Sequence, residues 1–487
     1  MTLISIKDLT FGYDGTDKLL FDHLDLGLDT SWRLALTGRN GRGKTTLFKL
    51  LRGELPHGGT ITGVPETISF PLDISDIDTG NWQIRKELNL MGADPDIMYR
   101  PFDTLSGGER TKLMLAVLFS SGDKFPLIDE PTNHLDMQGR DKVARYLASK
   151  EGFIMISHDR AFLDSCTDHT LAITKSGVEL SAASFSSWWE NNEKRMQGEL
   201  SRNEQLKKEM VSIEDAMKKN ARWAAKAESS KNRAHASSKV AEDHFRRAYE
   251  AEKSRKLQSL SKNLKQRNEK KMQEKASLLK DLERTEKLKI SGSEHHSRTP
   301  VILKDVTFLR DGIPVVSGFS LKLDSGTKVS LQGPNGCGKS TILKYIKDLG
   351  EGDEVEGIGD IYFATGLKVS YVSQDTSGLS GILSEIPSSR GVDRTMFNTI
   401  LVKTGFTRDM LERDVATLSL GQKKCVLIAL SLCEHADIYI WDEPLNYVDV
   451  YMRKEIERLI SDSSVTMLFV EHDRSFTEKI ADQTIEL

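Results

Sequence analysis

The chain has 487 residues, 38% of them hydrophobic and 29% charged, and a formal net charge of −4. That length is too great for one hydrophobic core and suggests about three units of roughly 100 to 200 residues each, while the composition excludes a fibrous or wholly disordered chain. The charge is unevenly spread: residues 191–290 carry 27 Lys/Arg against 16 Asp/Glu and the remainder 41 against 56, so an acidic body holds a basic middle that would meet a polyanionic partner first.

The chain opens with a β-rich run, Ile4-Ser-Ile-Lys-Asp-Leu-Thr-Phe-Gly-Tyr13, and a second strand at residues 34–37 feeds a glycine loop, Gly38-Arg-Asn-Gly-Arg-Gly43-Lys44-Thr45. In a strand–loop–helix setting this is a P-loop. Its backbone N–H groups, including those of Asn40 and Gly41, curl around phosphate oxygens, and the helix beginning near Thr46 adds positive potential. Lys44 reaches the β- and γ-phosphates and Thr45 ligates Mg²⁺. Residues 46–105 leave little room for a long extra arm. Leu105-Ser106-Gly107-Gly108-Glu109 then precedes a helix, so its hydroxyl and N–H groups can receive a γ-phosphate. A buried strand at residues 125–128, interrupted by Pro126, ends in Asp129-Glu130, a metal ligand beside a base that can activate water. His158, in a His-Asp-Arg triplet after another apolar strand, is placed to hold the γ-phosphate.

From Glu199 to Ser291 the chain has neither glycine nor proline, which favours long helices. Leu200, Leu206, Met210, Ile213 and Met217 fall near one face, as do Leu257, Leu260 and Leu264, with Leu279 and Leu282 further on. This predicts an antiparallel helical hairpin with arms of about 40 residues, roughly 60 Å long. The apolar seams fade between Trp223 and Arg255, which places the tip at about 223–255. The turn is expected at Ser229-Ser230-Lys231-Asn232 or at Ser237-Ser238. Trp188 and Trp189 at the base are expected to anchor the hairpin on the preceding domain.

The segments then recur in the same order about 300 residues later, the mark of an internal repeat. Val301-Ile-Leu-Lys-Asp-Val-Thr-Phe308 repeats the opening, and Gly333-Pro-Asn335-Gly336-Cys-Gly338-Lys339-Ser340 with Thr341 repeats the P-loop. Tyr-Val-Ser-Gln374 has no counterpart in the first copy, which reads Ser69-Phe-Pro-Leu72. Leu418-Ser419-Leu420-Gly421-Gln422, Asp442-Glu443 and His472 complete the set. One glycine loop could be a tight turn, but two complete loops in the same context point to a P-loop protein of parallel α/β class. The domains expected are 1–187, a helical linker 188–299, and 300–487. Nothing approaches 18 consecutive apolar residues, and Met1 to Thr10 lacks the features of a signal peptide. Cys166, Cys337, Cys425 and Cys433 match neither a zinc site nor a disulfide framework. A cytoplasmic protein without a membrane span is expected.

The serine–glycine segments resemble the signature motifs of the ATP-binding-cassette superfamily. With the P-loops, acids and histidines they cover nearly all of both repeats. The resemblance implies an ATPase with two head-to-tail composite sites. One would use Lys44, Thr45, Asp129, Glu130 and His158 with Ser419, Gly421 and Gln422. The other would use Lys339, Ser340, Gln374, Asp442, Glu443 and His472 with Ser106, Gly107, Gly108 and Glu109. Glu130, Glu443, His158 and His472 would be catalytic, Thr45, Asp129, Ser340, Gln374 and Asp442 would hold Mg²⁺, and Tyr13 would stack on adenine. Arg310 stands at the aligned position of the second copy, and a guanidinium can also stack. These departures predict two competent but unequal sites.

Two fused cassettes and a long basic linker without a membrane span resemble the ABC-F family of ribosome-associated ATPases. Pro126-Leu-Ile-Asp-Glu-Pro-Thr-Asn-His-Leu-Asp136, Tyr439-Ile-Trp-Asp-Glu-Pro-Leu-Asn-Tyr447 and Tyr99-Arg-Pro-Phe102 are similar to its Lsa-type antibiotic-resistance branch. That resemblance implies binding in the E site of the 70S ribosome, beside 23S rRNA and P-site tRNA. It also implies a linker tip that approaches the peptidyl-transferase centre and dislodges lincosamides, pleuromutilins or streptogramin A. A basic hairpin would release counterions on docking to rRNA. The tip residues expected to touch it are Arg222, Trp223, Lys226, Lys231, Arg233, His235, Lys239, Phe245, Arg246, Arg247 and Tyr249. Two alternatives remain: a housekeeping ABC-F translation factor without a drug role, and the ATPase subunit of a membrane transporter. No obligatory protein partner is expected, the two cassettes pairing within one monomer.

Overall fold

The structure, a computed structural model, describes residues 2–13, 19–72, 74, 81–174, 177–237, 266–267, 296–352 and 354–487. The chain divides into two compact units, one formed by Met1–Trp188 with Lys287–Leu487 and the other by Trp189–Glu286.

The first unit holds both repeats, and each is built on a mainly parallel sheet. In the first repeat the sheet runs Thr67–Phe70, Phe125–Asp129, Phe153–Ile156, Arg33–Gly38, His169–Thr174 and Gly177–Ser181, parallel except for the last pair. In the second it runs Val369–Val372, Ile438–Asp442, Met467–Val470, Lys328–Gln332 and Gln483–Glu486, parallel throughout. Central strands such as Phe153–Ile156 and Met467–Val470 are buried along their whole length, as parallel strands with both faces covered must be. A three-stranded antiparallel sheet flanks each: Phe21–Asp29, Leu3–Phe11 and Gly58–Thr62, and Ile313–Leu323, Val301–Arg310 and Glu356–Phe363. The cores lie between these layers and the helices.

Pro126 does not interrupt its strand, contrary to expectation. Phe125–Asp129 is continuous, and Pro126 pairs with Ile68. The Phe125 N–H is donated to the Glu66 carbonyl (2.7 Å), so the donor missing from Pro126 faces the other neighbour. Pairing on that side begins only at Leu127 with Ile154, so the ladder loses no bond there.

A single helix, Phe185–Ser237, extends for 53 residues, roughly 80 Å at 1.5 Å per residue. Leu206 is buried and Leu200, Met210, Ile213 and Met217 are half-buried along the expected face. The helix passes straight through residues 229–232, so the first of the two expected turns is absent. Serine and asparagine cost only fractions of a kcal/mol within a helix, and from Glu199 to Ser237 this one has neither glycine nor proline. The second arm with Leu257, Leu260, Leu264, Leu279 and Leu282, and the remainder of the expected tip, lie outside the described residues. No helix among the described residues is long and apolar enough to cross a membrane.

Candidate functional site

Each P-loop joins a buried strand to a helix, Arg33–Gly38 to Lys44–Leu51 and Lys328–Gln332 to Lys339–Lys347. The turn into each helix is made by Gly43 (φ 95°) and Gly338 (φ 99°), in the left-handed region that glycine enters without steric cost. Lys44 Nζ donates to the carbonyls of Gly38 (2.7 Å) and Arg39 (3.3 Å) and to Asn40 Oδ1 (3.3 Å). Lys339 Nζ donates to the carbonyls of Gly333 (2.8 Å) and Pro334 (2.9 Å).

The helix hydroxyls meet the strand-end acids. Thr45 donates to Asp129 Oδ2 (3.2 Å). In the second repeat Asp442 accepts from Ser340, from Gln374 Nε2 (3.4 Å) and from Tyr371 Oη (3.5 Å). Hydroxyl, carboxylate and amide oxygens are the hard donors that suit Mg²⁺, which takes few protein ligands and completes its shell with phosphate and water. Accordingly, no group of three or more His, Cys, Asp or Glu gathers to hold a metal among the described residues. Gln374 thus lies beside Asp442, and among the described residues the first repeat brings no amide to Asp129.

The glutamates that follow both have left-handed backbones, φ 54° at Glu130 and 46° at Glu443. That conformation is strained for a side chain of this type. The neighbouring strand pins it: the Glu130 N–H is donated to the Ile156 carbonyl (2.9 Å) and that of Glu443 to the Val470 carbonyl (3.0 Å). Each glutamate faces its histidine, His158 Nε2 at 3.3 Å from Glu130 Oε1 and His472 Nε2 at 3.2 Å from Glu443 Oε1.

The P-loop of one repeat faces the signature of the other. A cavity of about 510 Å³ is lined by Asn335, Gly336, Gly338, Lys339, Ser340, Thr341, Gln374, Glu443 and His472 from the second repeat and by Ser106, Gly107, Gly108, Asn133, His134 and Leu135 from the first. Arg310 lines it too, so the residue aligned with Tyr13 does reach the second site. Tyr13 itself shares a hydrogen bond with the Thr46 hydroxyl (2.9 Å). On the other side a Cβ on Gly421 would lie 2.2 Å from the Tyr447 carbonyl oxygen and 3.3 Å from Asn40 Nδ2, which sets the second signature against the first P-loop. Leu420, in place of the signature glycine, is exposed. Both signature serines cap their helices in a capping box, Ser106 with Glu109 and Ser419 with Gln422.

Several residues in this arrangement were not singled out from sequence. Asp449 Oδ2 accepts the Asn40 N–H (2.9 Å), and Asp136 Oδ2 accepts the Asn335 N–H (3.3 Å). Each aspartate also caps the helix it opens. Arg140 Nη1 crosses to the His472 carbonyl (3.1 Å) while pairing with Asp159 (2.8 Å). Arg160 crosses to the fully buried Glu457, and the Arg39 guanidinium lies 5.4 Å from the Tyr451 ring centroid. The recurrence of Asp-Glu-Pro-X-Asn-X-X-Asp in both copies was the signal available for Asp136 and Asp449.

Electrostatics separate the two sites. Burial, with Asp129 adding to it, pushes the Glu130 carboxyl up to about 8. Burial also raises Glu443, but the His472 ring, the Asn446 amide (2.8 Å from Oε2) and Lys339 outweigh it and hold that carboxyl below its usual range. Burial raises Asp129 and Asp442 and lowers Lys44 and His158.

Of the residues expected to touch rRNA, Arg222 is exposed on the long helix. The backbone of Trp223, Lys226, Lys231, Arg233 and His235 belongs to that helix. Lys239, Phe245, Arg246, Arg247 and Tyr249 lie outside the described residues.

The family described as ABC transporter matches residues 21–79, 76–133 and 316–446, together half of the chain. The ATP-binding protein Uup of Caulobacter vibrioides is 28% identical over 515 residues, covering 100% of this chain and 77% of its own. The ribosome protection protein VmlR of Bacillus subtilis is 26% identical over 482 residues, covering 97% and 85%. Among solved structures, the archaeal ribosome recycling factor aABCE1 in complex with the ribosomal stalk protein aP1 superposes with a TM-score of 0.61 at 19% identity, covering 98% of this chain and 87% of that one. Two cassettes whose P-loops face each other's signatures, matched by the family over both repeats, place the chain in the ABC transporter family, as an ATPase.

Proposed function

We propose that the ATPase binds the bacterial ribosome at the E site and uses its long basic helical segment to protect the peptidyl-transferase centre from lincosamides, pleuromutilins and streptogramin A. The observation that carries the enzymatic half is the cavity between the second P-loop and the first signature, which has the size and donors for a nucleotide triphosphate. Lys44 and Lys339 would hold the β- and γ-phosphates of ATP. Thr45 with Asp129, and Ser340 with Asp442 and Gln374, would hold Mg²⁺, which when bound neutralises phosphate charge. Glu130 and Glu443 orient and deprotonate the attacking water, and His158 and His472 hold the γ-phosphate. Ser106 with Gly108, and Ser419 with Gly421, receive that phosphate from across the interface, so that ATP clamps the two cassettes together.

The ribosomal half is supported by the excess of Lys and Arg over Asp and Glu in residues 191–290 and by the likeness to VmlR over 97% of the chain. Polycationic helices bind rRNA with strong salt dependence. Salt-sensitive cosedimentation of the Glu130→Gln, Glu443→Gln double variant with ribosomes in ATP, followed by cryo-electron microscopy of the complex, tests it. No cosedimentation at any salt concentration sinks the proposal. If Ser106→Ala with Ser419→Ala leaves ATP-dependent docking untouched, the clamp is wrong.

A second reading, a housekeeping ABC-F translation factor, is favoured by the equally extended likeness to Uup. Growth inhibition by one drug of each class, with and without expression, separates the two. Unchanged susceptibility to all three leaves the housekeeping reading.

A further inference from the structure

The repeat breaks at two buried positions beneath the acids of the second site. Lys424, on the signature helix Leu420–Cys433, stands where the first repeat has Thr111, and Glu471, directly before His472, stands where it has Ser157. Lys424 and Glu471 are each only 3% exposed. Charges so far from water persist only when they are paired and hydrogen-bonded.

Both are hydrogen-bonded, and charges of the opposite sign bear on each. Lys424 Nζ donates to the Ser373 carbonyl (2.9 Å), one residue before Gln374. The acids whose field bears on Lys424 are Glu471 first, then Asp442, Glu443 and Asp375. Glu471 in turn accepts two backbone N–H groups, Leu445 on Oε1 (2.7 Å) and His472 on Oε2 (3.2 Å). Leu445 adjoins Asn446, whose amide holds Glu443. Two buried groups of opposite charge thus tie down three segments that converge on the second site.

Among the described residues the first repeat has no such tie. The Thr111 hydroxyl turns back to the Gly107 carbonyl of its own helix (3.0 Å). Ser157 meets only the neighbouring Thr132 hydroxyl (3.4 Å) and the Asp159 N–H (3.2 Å). The two substitutions bear on each other: Glu471 is the first of the acids that favour the Lys424 charge, while Glu471 itself has the buried Arg453 guanidinium as its first opposite charge.

We propose that Lys424 and Glu471 are positioning residues for ATP turnover at the second site, a buried brace that holds Gln374, the Asn446–Glu443 contact and His472 in one geometry. The proposal concerns ATP hydrolysis alone and is independent of what the ATPase acts on.

The test uses the full chain and the residues of the first repeat: Lys424→Thr, Glu471→Ser, the double variant, and Lys424→Arg as the conservative control. For each, kcat, the half-saturating ATP concentration and the melting temperature are measured. A displaced catalytic group costs on the order of 10- to 100-fold in rate, so each single variant should lose kcat on that scale. Half-saturation should stay within about twofold, since the P-loop is untouched. Lys424→Arg should retain most of kcat. The double variant, free of unpaired charge, should regain the melting temperature but not kcat. Melting temperatures that fall while kcat stays at the wild-type level overturn the proposal, as does a double variant whose kcat returns to that level. Should a single variant not fold, the double variant decides alone by the same criterion.

Discussion

The two halves of this ATPase use the same chemical inventory and arrange it in different electrostatic settings. In the second site Glu443 has a histidine and an amide on its carboxylate, and Asp442 has a hydroxyl, an amide and a phenol. In the first site Glu130 also faces its histidine (3.3 Å), but its carboxyl is shifted up to about 8, and Asp129 has the Thr45 hydroxyl. The interface between the cassettes is unequal too. Arg160 of the first repeat is buried against Glu457 of the second, with Lys479 on the other carboxylate oxygen (3.2 Å). The equivalent Arg474 is exposed and pairs with Glu478 on its own helix (3.0 Å), because the position matching Glu457 is Ala144. A duplicated fold therefore preserves the parts that bind phosphate while the surroundings of its acids diverge.

The interface difference should give the largest effect. Glu457→Ala strands the buried Arg160 guanidinium and is expected to cost about 3–5 kcal/mol, whereas Arg474→Ala removes an exposed pair and should stay within about 0.5 kcal/mol. Thermal and denaturant unfolding of the two variants checks this, and equal losses would show that the one-sided contact carries no weight. Next comes chemistry. Glu443→Gln should lower the ATPase rate by on the order of 100-fold, the scale of a lost general base, and Glu130→Gln by less than about tenfold. Equal rates in the two variants would refute the inequality of the sites.

Whatever depends on a local strand–loop–helix pattern was legible in the sequence. Lys44, Thr45, Lys339 and Ser340 lie where their loops require, and the acids and histidines end the strands that precede them. What escaped is made by groups distant in the chain or by backbone angles. Arg160 and Glu457 are 297 residues apart, and nothing in either segment marks the contact. The left-handed angles of Glu130 and Glu443 come from the adjacent strand, which no glycine announces. The turn expected at 229–232 failed because serine pairs are weak helix breakers. Pro126 failed as a breaker because its missing N–H faces a neighbour that pairs only from Leu127 onward.

The two signatures offer a subtler comparison. A Cβ on Gly421 would come within 2.2 Å of the Tyr447 carbonyl oxygen, whereas one on Gly108 would meet nothing nearer than 3.4 Å. Overpacking of this kind costs about 1–3 kcal/mol. Tyr447 and His134 belong to the same repeat as the glycine each faces, so Gly421→Ala should lower unfolding stability by about 1–3 kcal/mol, read by denaturant unfolding, while Gly108→Ala leaves stability nearly unchanged. Similar losses in both would mean that the two signature turns pack equally closely against their own repeats.

The smallest effect concerns pH. An unfolded glutamate titrates near 4.3, and burial holds Glu130 at about 8. Between these values the folded protein keeps a proton that the unfolded chain has released. This group's contribution to stability is therefore fully present below the unfolded value and is lost as the pH rises through about 8. Glu443, held below its usual range, contributes in the opposite sense and only at acid pH. The nucleotide-free wild type should thus lose more of its melting temperature between about pH 6 and pH 9 than Glu130→Gln does, and Glu443→Gln should track the wild type over that window. Parallel curves for wild type and Glu130→Gln would mean that Glu130 is already ionised in the folded protein, and the electrostatic contrast between the sites would then rest on Glu443 alone.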